Sequence, residues 1–279
     1  MADILTHVFR TFMSKTFTNN NLRVTPPSQT TCGGTLLIGE PSISRPLLLL
    51  AAVAAAETGM KVIFFTQTQI QSLPVSLQKC VPSLSPESLK KIKFCYPCRV
   101  EDLLQQVASL HESINLYPTP PSLIIIDRLE SYLCSPGGSS TWGFYPGEQS
   151  LAAHLSALLC DTAAFLTQLL KQRSSSSGPC RLITSFRSEV DTRQTVGKGP
   201  TTDPILEVLD RYFQVRCTLD RDGSYEAAAA GLQEVWHVYF SGAGITQTSC
   251  NKDTEDSPSI DQEWKLLIFP DGLMEFKLV

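Results

Sequence analysis

A glycine-led segment followed by a leucine- and alanine-rich stretch has the residue types needed to bind phosphate. The segment from Gly39 to Arg45 (GEPSISR) directly follows the apolar run Leu36–Ile38. This context of strand, loop and helix is that of a Walker A loop, whose pattern is G-x-x-x-x-G-K-[ST]. Here Ser44 stands in place of the second glycine, Arg45 in place of the lysine and Pro46 in place of the Ser or Thr. We therefore interpret Gly39, Ser44 and Arg45 as a degenerate nucleotide site.

A second string, Leu123–Asp127 (LIIID), has the form of a Walker B strand. Such a strand ends in an Asp that can hold Mg²⁺. The alternative is that Asp127 only caps its strand or the following turn. Together the two strings indicate a P-loop architecture. They predict that Leu123–Asp127 lies next to Thr35–Ile38 in the sheet, with Asp127 within a few ångströms of the Gly39–Arg45 loop.

Three losses argue against efficient hydrolysis. The planar guanidinium of Arg45 is not equivalent to a compact lysine ammonium. Pro46 has no hydroxyl for Mg²⁺ and removes one N–H from the helix start. No Asp or Glu occurs between Glu57 and Glu87, although a water-positioning carboxylate is needed near the strand end at residues 65–68. We expect no catalytic residue and turnover near background, while binding of ATP with Mg²⁺ through backbone N–H groups stays open.

Composition limits the class of protein. The 279 residues are 42% hydrophobic and 18% charged, which suits one α/β domain with extensions or two small domains. A net charge of −4 gives no overall attraction for nucleic acid, so any such binding must use local basic patches. No apolar run reaches the ~18 residues of a membrane span, and no signal-peptide layout is present. We expect a soluble intracellular protein without a membrane partner.

The nine cysteines, an odd number, argue against a secreted disulfide framework. Cys95 and Cys98 form a lone C-x-x-C pair. A structural zinc site needs four ligands, and no second pair has ligand spacing. The four histidines show no paired spacing either. We therefore predict no metal site, and we leave the role of the two cysteines open between free thiols and a redox pair.

Apolar periodicity predicts alternating strands and helices, followed by strands alone. A short helix is predicted within residues 1–13. Predicted strands cover 35–38, 61–66, 92–95, 123–126, 181–186, 212–219, 234–240, 264–269 and 273–278, and predicted helices cover 46–58, 101–114, 148–171 and 204–209. Alternation first and hairpins last is typical of a mostly parallel central sheet with helices on both faces and antiparallel C-terminal strands.

Several segments, in the same order, resemble one family. They are 61–74 (KVIFFTQTQIQSLP), 89–97 (LKKIKFCYP), 123–132 (LIIIDRLESY), 158–164 (LLCDTAA) and 209–213 (LDRYF). The chain resembles the divergent RecA-like recombinase paralogues that pair with the SWIM-type zinc finger protein in the metazoan Shu complex. The resemblance implies an α/β, RecA-like P-loop core. We assign residues 1–30 to an N-terminal extension and linker, and 31–279 to the RecA-like domain with a flexible loop at 241–262.

The resemblance also implies a role in homologous recombination in the nucleus. Its expected partners are the SWIM-type zinc finger protein, the recombinase, other recombinase paralogues and single-stranded DNA, and its implied effect is to promote recombinase filament assembly or stability. Members of the family are described as ATPases stimulated by single-stranded DNA. The departures at Ser44, Arg45 and Pro46 bear on that activity, but not on DNA or partner binding.

The resemblance implies that two loops of the RecA-like fold face DNA, and in this sequence we expect them at residues 128–147 and 187–203. The second loop carries the candidate phosphate contacts Arg187, Arg193 and Lys198. The first carries Arg128 and three aromatic residues that could stack on bases, namely Trp142, Phe144 and Tyr145. The plainer interpretation is that exposed loops are often basic and sometimes aromatic.

Residues 240–243 (FSGA) match the F-x-x-A pattern by which recombinases bind neighbouring subunits. Such a four-residue pattern also arises by chance, and Phe240 closes an alternating strand.

Overall fold

The structure is a computed structural model. It describes residues 3–12, 34–71, 85–112, 119–133, 146–173, 178–188, 203–223, 231–242 and 263–279. The predicted α/β architecture is confirmed: parallel strands form the centre of the sheet, helices lie on both faces, and the C-terminal strands are antiparallel.

Nine strands form a single sheet among the described residues. In chain order they are β1 (Gly34–Ile38), β2 (Val62–Phe65), β3 (Ile92–Cys95), β4 (Leu123–Ile126), β5 (Arg181–Phe186), β6 (Val215–Arg221), β7 (Glu234–Ser241), β8 (Glu263–Ile268) and β9 (Met274–Leu278). Their order across the sheet is β3-β2-β4-β5-β1-β6-β7-β8-β9. Strands up to β6 pair in parallel, and β6 to β9 form an antiparallel meander.

The helices are α1 (Asp3–Thr11), α2 (Pro41–Glu57), α3 (Pro86–Leu89), α4 (Val100–Glu112), α5 (Glu130–Leu133), α6 (Pro146–Arg173) and α7 (Pro204–Tyr212). Of these, α3 and α5 are single turns for which no helix was predicted from the sequence. Residues Gly147–Arg173 of α6 are long and apolar enough to cross a membrane by length and composition alone. In the fold, Leu155, Leu159 and Leu166 of this helix are buried against the sheet and its neighbouring helices.

Side chains of β4 alternate between two hydrophobic clusters, one on each face of the sheet. Leu123 and Ile125 join the cluster formed with α1 and α2, whereas Ile124 and Ile126 join the cluster formed with α4, α6 and α7. All four are fully buried. An apolar strand with no polar face is what a sheet covered on both sides requires.

One predicted pairing is wrong. The two Walker-like strings predicted Leu123–Asp127 directly beside Thr35–Ile38, but β5 lies between β4 and β1 and pairs with both. Sequence periodicity predicts that a strand is buried but not which strand it pairs with. The companion prediction is confirmed, because Asp127 contacts Arg45 across the end of β5.

The N-terminal helix α1 packs against the antiparallel edge of the sheet. Phe9 is fully buried, and its ring stacks on Phe276 with centroids 4.5 Å apart. It also lies 5.7 Å from the rings of Phe240 and Trp264. Just beyond α1, the carbonyl of Phe12 accepts a 3.0 Å hydrogen bond from the N–H of Phe276 in β9.

The proposed F-x-x-A contact does not fit the position of its aromatic residue. Phe240 is only 3% exposed and lies in the core beside Phe9. A side chain held in its own core cannot insert into a neighbouring subunit without unfolding the strand. Phe240 is therefore a core residue of β7.

Candidate nucleotide site and the carboxyl edge of the sheet

The connection from β1 to α2 is too short to form a phosphate loop. Helix α2 begins at Pro41, two residues after Gly39, and not at Pro46 as the sequence analysis expected. Glu40 is extended and Pro41 occupies a first-turn position, where its fixed φ favours a helix start. No glycine between 40 and 45 supplies the unusual dihedrals of an open loop.

The backbone N–H groups that would face phosphates are partly used by the helix. Those of Ile43 and Ser44 both donate to the carbonyl of Glu40, at 3.1 and 2.9 Å. Ser44 is itself 2% exposed. Pro46 now lies in the second turn, where it offers neither a hydroxyl nor an N–H. The phosphate-binding parts of a Walker loop are thus absent from this turn.

Gly39 has a packing role at this position. A Cβ added to it would lie 2.9 Å from the Cβ of Leu219 on β6, closer than side chains approach one another. Its N–H donates to the carbonyl of Phe186 at 3.3 Å. The glycine therefore allows β1 and β6 to approach closely, and phosphate contact is not needed to explain it.

Arg45 and Asp127 form an ion pair. The Nε of Arg45 donates to Oδ2 of Asp127 at 2.7 Å, and the Asp127 side chain is fully buried while that of Arg45 is 27% exposed. The hydroxyl of Thr66 donates to the same oxygen at 3.0 Å. The other carboxylate oxygen, Oδ1, is buried and has no partner among the described residues. The cation and the carboxylate of the two Walker-like strings thus satisfy each other.

A bound Mg²⁺-nucleotide does not fit these residues. Magnesium is held by carboxylates together with phosphate oxygens and waters, so Asp127 would have to release the guanidinium of Arg45. The single free oxygen, Oδ1 of Asp127, lies on a carboxylate whose charge Arg45 already neutralises. No hydroxyl stands at Pro46 to add a ligand.

Gln67 lies at the strand end where a water-positioning carboxylate would be needed. Its side-chain amide donates to the carbonyls of Cys98 and Ser131, each at 3.2 Å. A glutamate in this position has no N–H and could make neither bond. Gln67 therefore connects the residues that follow β3 and β4 by hydrogen bonds that a carboxylate could not donate.

A second polar cluster lies where β4 and β5 end. Glu130 accepts a hydrogen bond from Nε of Arg128 at 3.1 Å through Oε1, and another from the backbone N–H of Arg187 at 3.1 Å through Oε2. Burial raises the pKa of the Glu130 carboxyl, an effect that the hydrogen bonds from its own backbone, Arg128 and Arg187 partly offset. Glu130 was not among the site residues predicted from the sequence. In the sequence, Glu130 is marked only by its place three residues beyond Asp127 and two beyond Arg128. The sheet then brings Arg187 to its other side.

Only part of the predicted DNA site lies among the described residues. Arg187 is exposed at the end of β5, close to Arg128 through Glu130. The other candidate contacts fall outside the described residues: Arg193, Lys198, Trp142, Phe144 and Tyr145. Cys95 and Cys98 are free thiols, and burial raises the pKa of Cys95.

Comparison with known proteins now bears on this geometry. The chain is 36% identical over 224 residues to the mouse protein named ATPase SWSAP1, a match covering 75% of this chain and 70% of the mouse protein. The chain belongs to the SWSAP1 family. Its identity to human ATPase SWSAP1 is 32% over 225 residues, covering 75% of this chain and 85% of the human one. No family model matches the chain.

Solved structures share the fold of this SWSAP1-family chain. The crystal structure of the RadB recombinase superposes with a TM-score of 0.54 at 14% identity, covering 88% of this chain and 90% of RadB. A DnaB-like replicative helicase gives a TM-score of 0.52 at 12% identity, covering 88% of this chain. The match spans only 57% of that longer helicase chain. At such identity the likeness shows the fold alone, and it confirms the RecA-like core.

Proposed function

We propose that this chain is a recombinase-paralogue subunit that acts in homologous recombination without hydrolysing ATP. In this role it binds single-stranded DNA and a SWIM-type zinc finger partner, and it promotes assembly or stability of a recombinase filament in the nucleus. Membership of the SWSAP1 family and the RecA-like fold support the recombination role. The direct ion pair between Arg45 and Asp127 is the observation from which we infer that ATP is not hydrolysed.

The charge distribution supports DNA binding through a local surface. The net charge is −4, so attraction to a polyanion must come from cations gathered at one place. The carboxyl ends of β4 and β5 bring Arg128 and Arg187 to one edge of the sheet, and Arg193 and Lys198 follow in the same segment of sequence. Opposing carboxylates at Glu189, Asp191 and Asp203 weaken this attraction. We therefore expect weak binding by the chain alone and tighter binding by the partner complex.

The second candidate is an active ATPase of the same fold, which the names of the mouse and human relatives favour. It requires Arg45 to leave Asp127 and a carboxylate to take the place of Gln67. Neither requirement agrees with the hydrogen bonds at the carboxyl edge.

Co-purification of the full chain with the SWIM-type zinc finger protein, followed by two assays, tests the proposal. We expect a stable complex, binding of a labelled oligothymidylate that is unchanged by ATP and Mg²⁺, and ATP turnover no faster than the buffer control. Robust turnover that Asp127→Ala abolishes would instead establish the active ATPase. A complex that binds no oligothymidylate would refute the DNA-binding part.

A further inference from the structure

Arg128 adopts a backbone conformation that normally belongs to glycine. Its φ is 62°, and among the described residues no other non-glycine residue has a positive φ. The left-handed region is unfavourable for an L-residue with a Cβ, so surrounding contacts must hold Arg128 there. The N–H of Arg128 donates to Oγ of Ser185 at 2.8 Å, and its carbonyl accepts from Oγ of Ser131 at 2.7 Å. The strain lies immediately after Asp127, where the first proposed DNA-facing loop begins.

One carboxylate connects this strained turn to the start of the second proposed loop. Strands β4 and β5 are parallel neighbours, so their carboxyl ends lie side by side. Glu130 spans them, because one oxygen accepts from the side chain of Arg128 and the other from the backbone of Arg187. The Glu130 side chain is 14% exposed, so its carboxylate is largely buried at the point where it accepts these two bonds.

The cluster leaves positive groups facing outward. Glu130 engages only Nε of Arg128, whose side chain is 41% exposed, and the two Nη atoms have no partner within the described part of the chain. Arg187 is exposed next to it. Two guanidinium groups at adjacent strand ends form a surface that suits successive phosphates of one strand.

We propose that Glu130 is a positioning residue for nucleic-acid binding: it fixes Arg128 and the backbone of Arg187 so that both guanidinium groups contact one phosphate chain. This inference rests on the proposed function and deepens it. The proposed effect is opposite to simple charge repulsion, since a negatively charged side chain here strengthens the binding of a polyanion.

The direction of the Glu130 pKa shift helps to distinguish two causes of weaker DNA binding, namely misplaced arginines and a less stable fold. A carboxyl whose pKa is raised in the folded state binds its proton more tightly there than in the unfolded chain. Folding stability therefore falls as the pH rises from the unfolded pKa through the raised one. Replacing Glu130 by neutral Gln removes this loss, so any weaker DNA binding by the variant reflects position and not the ionisation of a stabilising group.

The test compares Glu130→Gln with Glu101→Gln in the full chain, alone and with its partner. Both variants remove one negative charge, but Glu101 is exposed at the start of α4 and contacts neither arginine. General electrostatics predicts that both variants bind a labelled oligothymidylate equally well or more tightly than wild type. The positioning role predicts that the two variants differ: binding about threefold or more weaker for Glu130→Gln, with a shallower salt dependence, and unchanged or tighter for Glu101→Gln.

Arg128→Ala supplies a second readout that a general loss of stability would not produce. In wild type this change should weaken binding, whereas in the Glu130→Gln background it should add little, because the guanidinium is no longer held. Thermal melts identify any variant that is unfolded at the assay temperature, and Glu130→Asp, which keeps the charge but shortens the reach, should give an intermediate loss. If wild type binds but Glu130→Gln behaves like Glu101→Gln, the positioning role is wrong and the proposed function survives. If wild type and its partner complex bind no DNA, both fail.

Discussion

At the scale of single residues, the Arg45–Asp127 pair explains how a fully buried carboxylate is stable at the carboxyl edge of the sheet. A fully buried charge must be paired or it costs several kcal/mol. Arg45 provides the counter-charge from the second turn of α2, and Thr66 adds a hydrogen bond. The pair therefore stabilises the folded chain by connecting α2 to the carboxyl ends of β2 and β4.

Removing one partner of this pair should be far more harmful than removing both. We expect Arg45→Ala to lower the free energy of unfolding by about 2–3 kcal/mol, less than for a fully buried pair because Arg45 is partly exposed. The double change Arg45→Met with Asp127→Leu should recover most of the loss, because no charge is then buried. Urea unfolding of the two variants measures both values.

The matched control is Arg221→Ala, which breaks an ion pair with Glu234 in which Arg221 is 58% exposed. Exposed pairs contribute at most about 1 kcal/mol, so this variant should change stability little. Equal losses in the free energy of unfolding for Arg45→Ala and Arg221→Ala would show that the buried pair stabilises the fold no more than an exposed pair does.

At the scale of elements, Gly39 lies at a close contact between the end of β1 and β6. Gly39 has no room for a Cβ because Leu219 lies against it. We expect Gly39→Ala to lower the free energy of unfolding by about 1–3 kcal/mol through overpacking. Leu219→Gly in the same chain removes the Cβ, Cγ and Cδ1 atoms that an added Cβ would meet, so the double variant should be more stable than the two separate losses predict. Equilibrium unfolding in urea gives the coupling between the two sites.

Gly147→Ala is the control for glycine replacement in general. This residue lies near the start of α6, and nothing stands within 4 Å of an added Cβ. Alanine is the better helix former by about 1 kcal/mol, so this variant should be neutral or slightly stabilised. If Gly39→Ala is equally well tolerated, the glycine is not required by packing, and a role toward a ligand becomes the better explanation.

At the scale of the whole molecule, the N-terminal helix completes the hydrophobic core over the antiparallel edge. Phe9 contacts aromatic rings from β7, β8 and β9. We expect Phe9→Ala to lower the free energy of unfolding by about 3–5 kcal/mol, as a buried Phe truncation does. His7→Ala, an exposed change on the same helix, should have little effect. A thermal melt of Phe9→Ala that matches wild type would mean that α1 is not part of the stable core.

The sequence by itself determined the classes of element and the chemical losses at the nucleotide site. Strand β4 was predictable because four consecutive apolar residues have no polar face to turn toward water. The sequence alone shows that Pro46 has no hydroxyl and that no carboxylate side chain lies between Glu57 and Glu87, because both follow directly from the residue types. The overall α/β order with an antiparallel end followed from the change in spacing between strands.

Only the tertiary structure decided which groups meet. Strand order is set by pairing between segments far apart in sequence, so β5 could not be placed between β4 and β1 from periodicity. Gly39 and Leu219, which are far apart in sequence, come into close contact only in the folded sheet. The partners of Arg45, Gln67 and Glu130 lie 82, 64 and 57 residues away along the chain, and no local pattern encodes such distances. The sheet brings them together because parallel strands end at one edge.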